Sequence, residues 1–259
     1  MKKTLNVIKI GGAVIDDPLM LSDFLSDFKK IEGAKMLIHG GGKAATQMGE
    51  KLGVSPKIIE GRRITDEVTI EIVTMVYAGL VNKRIVAQLQ SNGLNAIGLC
   101  GADANCIKAK KRPIKAGIDY GLVGDIREVN VDFFRELMSS GKIPVIAPLT
   151  HDGYGQLLNT NADTIASEIA IAMSKYFEVI LSLTFEMEGV MEDVSNPETI
   201  IRSLDKEKYE ILKSEFKVHD GMIPKLDNAF HVLESGVKSV RVCKYNQIGN
   251  PVNGTILQA

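Results

Sequence analysis

The sequence contains no tryptophan, and aromatic residues make up only 5% of its 259 residues. A platform for stacking nucleic-acid bases needs such rings, so that class of partner is disfavoured. Charge of one sign is missing as well. The 31 Lys and Arg are matched by 32 Asp and Glu, for a net charge of −1. No block of like charge stands out, which argues against nucleic acid or a membrane surface as a partner. Cysteine is scarce, and Cys100, Cys106 and Cys243 form no CxxC or Cys/His pairing. Neither a disulfide framework nor a structural zinc site is expected, and a reducing, cytoplasmic compartment fits best. No apolar run approaches the roughly 18 residues that a membrane-crossing helix needs. The opening MKKTLNVIKIGGAVIDD is interrupted by Asn6, Lys9 and two glycines, too early for a signal peptide.

What the chain does have is alternation. LNVIKI is a β-branched run stopped by Gly11 and Gly12, which reads as a buried strand. A helix follows with Asp17 as N-cap and Pro18 at its first position. AKMLIH, LNAIGLC, IPVIAPL, FEVILSLT and KSVRVC read as further strands. Helical patterns lie between them, among them a long one over residues 66–90 with Thr65 or Asp66 as its cap. KIIEGRRIT suggests a hairpin around Gly61, and residues 103–129 short β pieces broken by glycines. Such alternation implies an α/β fold with a mostly parallel sheet and helices on both faces. Two lobes are expected, divided near residue 170, with the charged stretch 191–217 as a surface excursion.

In sheets of this kind ligands sit outside the carboxyl ends of the strands. The chemistry-bearing residues do fall there. HGGGK, from His39 to Lys43, follows a strand and opens a helix. Gly40-x-Gly42-x-x-Ala45 can be forced into a dinucleotide fingerprint, but weakly, and Leu37 and Ala44 rule out a P-loop. Three successive glycines exceed what one turn requires, so close approach of a ligand to bare amides is the better reading. Lys43 reads as an exposed first-turn lysine. Lys9 stands in an apolar strand before the other glycine pair, where an unpaired lysine is unusual. In LLNTNAD, Asn161 or Asp163 can serve as a helix cap, whereas Asn159 is not needed for one. In DGMIPK, with Asp220 as a possible cap, Lys225 opposes a helix dipole unless an anion joins it. With Arg62 and Arg63, these groups suit phosphoryl transfer between anions, and no Ser-His-Asp order or metal triad competes.

In order and spacing, IKIGG, HGGG, RRIT, DYGLVGDI, LLNTNAD and DGMIPK resemble the amino-acid kinase family, and within it the members that phosphorylate N-acyl-glutamates. The resemblance implies a three-layer αβα sandwich with an acylglutamate-binding lobe over 1–170 and a nucleotide-binding lobe over 171–259. It implies transfer from MgATP to the γ-carboxylate of N-acetyl-L-glutamate in arginine biosynthesis, with Mg²⁺ carried by the nucleotide and no protein metal site. Lys9 and Lys225 match the lysines that stabilise the migrating phosphoryl group, and Asp163 the aspartate that holds them. Gly11 and Gly12 match the glycines along the ATP phosphates. Gly41, Gly42, Arg63 and Asn159 match the acylglutamate site, with Arg63 on the α-carboxylate. Glu186, Met187 and Gly189, with Lys217 and His219, match the nucleotide-binding loops.

The sequence departs from the family at LTFEMEGVM, where Phe185 and Glu186 replace the usual Ser/Thr-Asp pair, and at Asn105, commonly glycine. In the family resembled, an N-terminal helix accompanies arginine-inhibited hexamers; with only eight residues before Lys9, the resemblance leads to the expectation of an arginine-insensitive homodimer, with the helix over 66–90 near its interface. N-succinyl-L-glutamate as substrate, a non-catalytic sensing module, another kinase of the fold and, more distantly, a nicotinamide-dependent oxidoreductase remain open alternatives from sequence.

Overall fold

A computed structural model describes residues 2–59, 62–193, 196–215, 218 and 222–258. The chain begins with β1 (Thr4–Ile10), a short helix α1 (Gly12–Asp16) and α2 (Pro18–Lys30). Asp17 caps α2 as expected, its carboxylate accepting from the backbone of Leu19 and Met20, a contact worth about 1 kcal/mol. Next come β2 (Ala34–His39), α3 (Gly42–Lys51) and a hairpin of β3 (Ile58–Ile59) with β4 (Arg62–Arg63). The hairpin forms where expected, and its turn at Gly61 lies outside the described residues. The long helix starts at Asp66, whose carboxylate accepts from Thr69 N–H at 2.8 Å. It is not uniform. It runs as α4 (Glu67–Val73), a π-helical stretch (Thr74–Val81) and α5 (Asn82–Ser91). One extra residue per turn leaves the apolar pattern readable as helix, so sequence gives no warning of it.

Beyond it lie β5 (Ala96–Leu99), β6 (Ile107–Lys111), β7 (Gly124–Val129), α6 (Val131–Ser139), β8 (Ile143–Ile146), β9 (Leu149–His151) and β10 (Leu157–Asn159). The last part holds α7 (Ala162–Ser174), β11 (Glu178–Phe185), β12 (Ser203–Leu204), α8 (Lys206–Ser214), α9 (Ile223–Glu234), β13 (Ser239–Lys244) and β14 (Thr255–Leu257). Among the described residues no helix is long and apolar enough to cross a membrane.

By internal contacts the chain forms two compact units, one of residues 1–36 with 166–259 and one of residues 37–165. The first 36 residues thus belong with the carboxy-terminal part, because β1 pairs in parallel with β11 from Thr4↔Glu178 to Lys9↔Leu183. In this unit β11 also pairs in parallel with β13, β13 antiparallel with β14, and β14 in parallel with β12. Val7, Ile8, Leu181 and Val240 are fully buried, so LNVIKI and FEVILSLT read as continuous apolar runs for the reason expected of parallel strands. Phe24 and Phe28 of α2 add a stacked pair with centroids 6.0 Å apart, each burial worth about 1.5–3 kcal/mol.

One expectation fails here. The charged stretch 191–217 is no mere surface excursion. Tyr209 on α8 is fully buried and stacks on Phe230 at 5.2 Å, while Leu204 and Leu212 are buried too. Five charged side chains and a serine surround two inward positions three apart, so overall polarity hid a helical face.

In the other unit β8 pairs in parallel with both β2 and β5. A separate four-stranded sheet has the order β10-β9-β6-β7 and is largely antiparallel, which accounts for the short β pieces after Asp103. The class is the expected one: mixed α/β, with helix-bearing strands that run mostly parallel.

Candidate functional site

The unit of residues 37–165 gathers the glycine loop. Gly41 precedes α3, and a Cβ there would sit 2.8 Å from the Tyr77 ring, so only glycine lets the loop pass beneath that ring. Arg63 spans the other side. Its guanidinium donates to Gly42 O at 2.9 Å and to Thr46 Oγ1 at 2.7 Å. The Tyr77 hydroxyl faces the same guanidinium, and burial holds its pKa above the ordinary value against the pull of Arg63. Asn159 joins the set through Thr65. Its Nδ2 donates to Thr65 Oγ1 at 3.0 Å, and Thr65 Oγ1 donates to Arg63 O at 3.2 Å. Gly42, Arg63 and Asn159, far apart in sequence, are therefore linked in one hydrogen-bonded set, and Gly41 lies beside it against the Tyr77 ring. DYGLVGDI supports it: Thr65 N–H donates to Tyr120 O, Leu122 N–H to Thr65 O, and Gly121 (φ +71°) lies so close to Thr65 O that no side chain fits.

Asn161 is a helix cap, its Oδ1 accepting from Thr164 N–H at 3.1 Å. Asp163 lies in the first turn of α7. Lys43 is exposed in the first turn of α3, as expected.

Behind the loop stands His39, which sequence reading passed over. It is fully buried. Its Nδ1 pairs with Gly40 O at 2.7 Å and its Nε2 with Asn82 Nδ2 at 3.1 Å. An amide can only donate from Nδ2, so Nε2 accepts and Nδ1 carries the proton. Burial pushes the imidazole pKa down to about 4, with Lys83 nearby adding to the effect. His39 is thus a neutral brace for the loop carbonyl. The sequence signal was available, since a histidine ending an apolar strand must find partners.

The unit of residues 1–36 and 166–259 gathers the two lysines. Lys9, near the carboxyl end of β1, is buried, and its carbonyl accepts from Thr184 Oγ1 at 2.9 Å. Lys225 lies in the first turn of α9, whose N-cap position is Met222, and Asp220 lies outside the described residues. Both ammonium groups sit over the ring of Phe185, Lys9 Nζ at 5.3 Å and Lys225 Nζ at 3.9 Å from its centroid. Gly11 is the N-cap of α1 and approaches Thr184 O, and Gly12 opens the helix.

Beyond Phe185 the loop carries Glu186, exposed, then Met187 and a buried Gly189. A Cβ on Gly189 would meet Thr255 Oγ1 at 2.7 Å, and that hydroxyl accepts from Val190 N–H at 2.8 Å. The closing NGT therefore staples this loop. Among the described residues, the carboxylate anchored in this loop is Glu188. Glu188 pairs with Lys244 at 2.7 Å and accepts from Gln247, and the Lys244 hydrogen bond holds its pKa below the usual range. Glu188 also lines a pocket with Glu198, Ile200 and Arg202. Lys217 and His219 lie outside the described residues.

Residues 4–244 match the family model described as the amino acid kinase family. A protein named acetylglutamate kinase from Cytophaga hutchinsonii is 50% identical over 249 residues, covering 96% of this chain and 94% of that one. Its namesake from Phocaeicola vulgatus is 46% identical over 258 residues and covers 100% of both chains. Among solved structures, smu.665 from Streptococcus mutans UA159 aligns with a TM-score of 0.80 at 26% identity, over 100% of both chains.

Proposed function

The chain belongs to the amino acid kinase family, and from that membership we infer that it transfers the γ-phosphoryl group of ATP to the γ-carboxylate of N-acetyl-L-glutamate, a step of arginine biosynthesis. The observation that carries the reading is the convergence of Lys9 and Lys225, 216 residues apart in sequence, on one ring, that of Phe185. A carboxylate nucleophile has a pKa near 4.3 and is ionised at neutral pH, so no general base is required. The obstacle is repulsion between two anions. Fixed cations and positioning lower it. Lys9 and Lys225 stabilise the migrating phosphoryl group, and Asp163 orients them. Gly11 and Gly12 run along the phosphates, with Glu186, Met187, Gly189, Lys217 and His219 on the rest of the nucleotide. Mg²⁺ would be carried by the ATP phosphates rather than by a protein site, and would supply screening of their charge.

Gly41, Gly42, Arg63 and Asn159 hold the acylglutamate, with Arg63 on its α-carboxylate. The hydrogen-bonded set around Arg63 supports this role, because it fixes a planar cation beside bare loop amides. The nucleotide role falls to residues 171–259 and the acylglutamate role to residues 1–170, with β1 contributing Lys9. The working form is a cytoplasmic homodimer acting on small molecules alone.

ADP release measured with N-acetyl- and N-succinyl-L-glutamate side by side tests the substrate. We expect turnover with the acetyl compound and at least about tenfold less with the succinyl one. Turnover confined to the succinyl compound would reassign the acyl group. Lys9→Ala is expected to lose at least about a hundredfold in kcat with its circular dichroism unchanged. Near-normal turnover in that variant would sink the catalytic assignment.

A further inference from the structure

We propose that Phe185 is a positioning residue for phosphoryl transfer, its ring helping to hold Lys9 and Lys225 as charged donors. The proposal rests on the reading of those two lysines given above. The ring is placed by backbone, not by chance packing. Phe185 ends β11, its carbonyl accepts from Tyr245 N–H at 2.9 Å, and it pairs in register with Lys244. One residue earlier, Thr184 Oγ1 ties β11 to the Lys9 carbonyl at 2.9 Å. The strand carrying the ring and the strand carrying Lys9 are thus locked in register. Lys225 arrives from α9, where Pro224 occupies the first turn and fixes its start. Both ammonium nitrogens fall within the roughly 6 Å over which a ring quadrupole attracts a cation. Phe185 is itself only 7% exposed, so water does little to screen the attraction.

The chemistry favours a ring at this place. Two like charges brought together repel, and something must offset that. A carboxylate offsets it by accepting N–H donors, the part given above to Asp163, whereas an aromatic ring attracts a cation without accepting a donor and so adds to that orientation. The competing role is plain space-filling, and electron density on the ring separates the two. Fluorine withdraws it with little change of shape.

The test uses the full-length protein, MgATP and whichever acylglutamate it turns over. Phe185 is replaced by mono-, di- and trifluorophenylalanine during translation, and also by Tyr and by Leu. We expect kcat to fall stepwise along the fluorinated series, by roughly tenfold at its end, with KM for ATP changing less than about twofold. Phe185→Tyr, which keeps the face, is expected to stay within about twofold of the parent, and Phe185→Leu to fall about tenfold. A flat fluorinated series beside an inactive Lys9→Ala enzyme overturns the role of Phe185 alone. A Lys9→Ala enzyme of normal rate overturns the reading of the lysines, and this proposal with it. Should Phe185→Leu fail to fold, the fluorinated series and Tyr still decide.

Discussion

At the scale of the residue, His39 makes the clearest case of a side chain whose role follows from its surroundings. It is held neutral by burial, with its pKa pushed down to about 4. In the unfolded chain the imidazole titrates near 6.5. As pH falls below 6.5 the unfolded chain takes up a proton that folded His39 refuses, so stability falls. The loss continues to about pH 4, below which both states are protonated and the dependence ends. A gap of that size corresponds to on the order of 3 kcal/mol, with a slope approaching 1.4 kcal/mol per pH unit. His39→Asn removes the titration. Urea unfolding of parent and variant between pH 4 and 7 is expected to differ in slope by about one proton, whatever the variant's absolute stability. Parallel slopes would show that His39 is not a buried neutral group.

At the scale of the element, α5 and β5 approach so closely that one hydrogen atom decides the distance. A Cβ on Gly98 of β5 would land on Asn82 Oδ1 and come within 2.8 Å of Lys83 Nζ. Asn82 is 1% exposed, and its Nδ2 donates to Val145 O at 3.0 Å as well as to His39. Gly98→Ala must therefore either move the helix or expel an amide from both hydrogen bonds. We expect a loss of about 3 kcal/mol, the sum of overpacking and an unmet buried polar group. A melting temperature within a degree of the parent would contradict it. Close approaches of this kind also mark where the sequence stopped being informative. LNVIKI, AKMLIH and the Asp17-Pro18 start were legible because each signal is local: a run, a period or a cap. The residues of the candidate site were legible as types at strand ends. Their partners were not. Nothing near Arg63 announces Thr46 or Tyr77, and nothing near Phe185 announces Lys225, because only the topology brings them together. The π stretch and the buried face of α8 were missed for a different reason, since an altered turn or a majority of charged neighbours blurs a period without erasing it.

At the scale of the whole molecule, the π stretch bears on how copies of the chain assemble. Val68, Met75 and Leu80 are 50%, 55% and 43% exposed along the one long helix. Scattered exposed apolar residues need no explanation, but an aligned set does. Residues 68 and 75 are seven apart and share a face of an α-helix. Residue 80 is five beyond 75 and would point well away from that face in α-helical geometry. In the π stretch hydrogen bonds run from i to i+5, so residue 80 lies about one turn above residue 75. The insertion thus extends the apolar stripe by one residue, at the cost of poorer helix geometry. A stripe maintained in that way is best explained by a surface that is covered, and the same stripe on a second copy is self-complementary about a two-fold axis. We expect the parent protein to sediment as a dimer at about 10 μM and Met75→Glu/Leu80→Glu as a monomer, because two desolvated carboxylates per subunit would each cost several kcal/mol. Circular dichroism of the variant should match the parent, since both side chains are exposed in the single chain. A parent that sediments as a monomer, or a variant that stays dimeric, would remove this helix face from the interface.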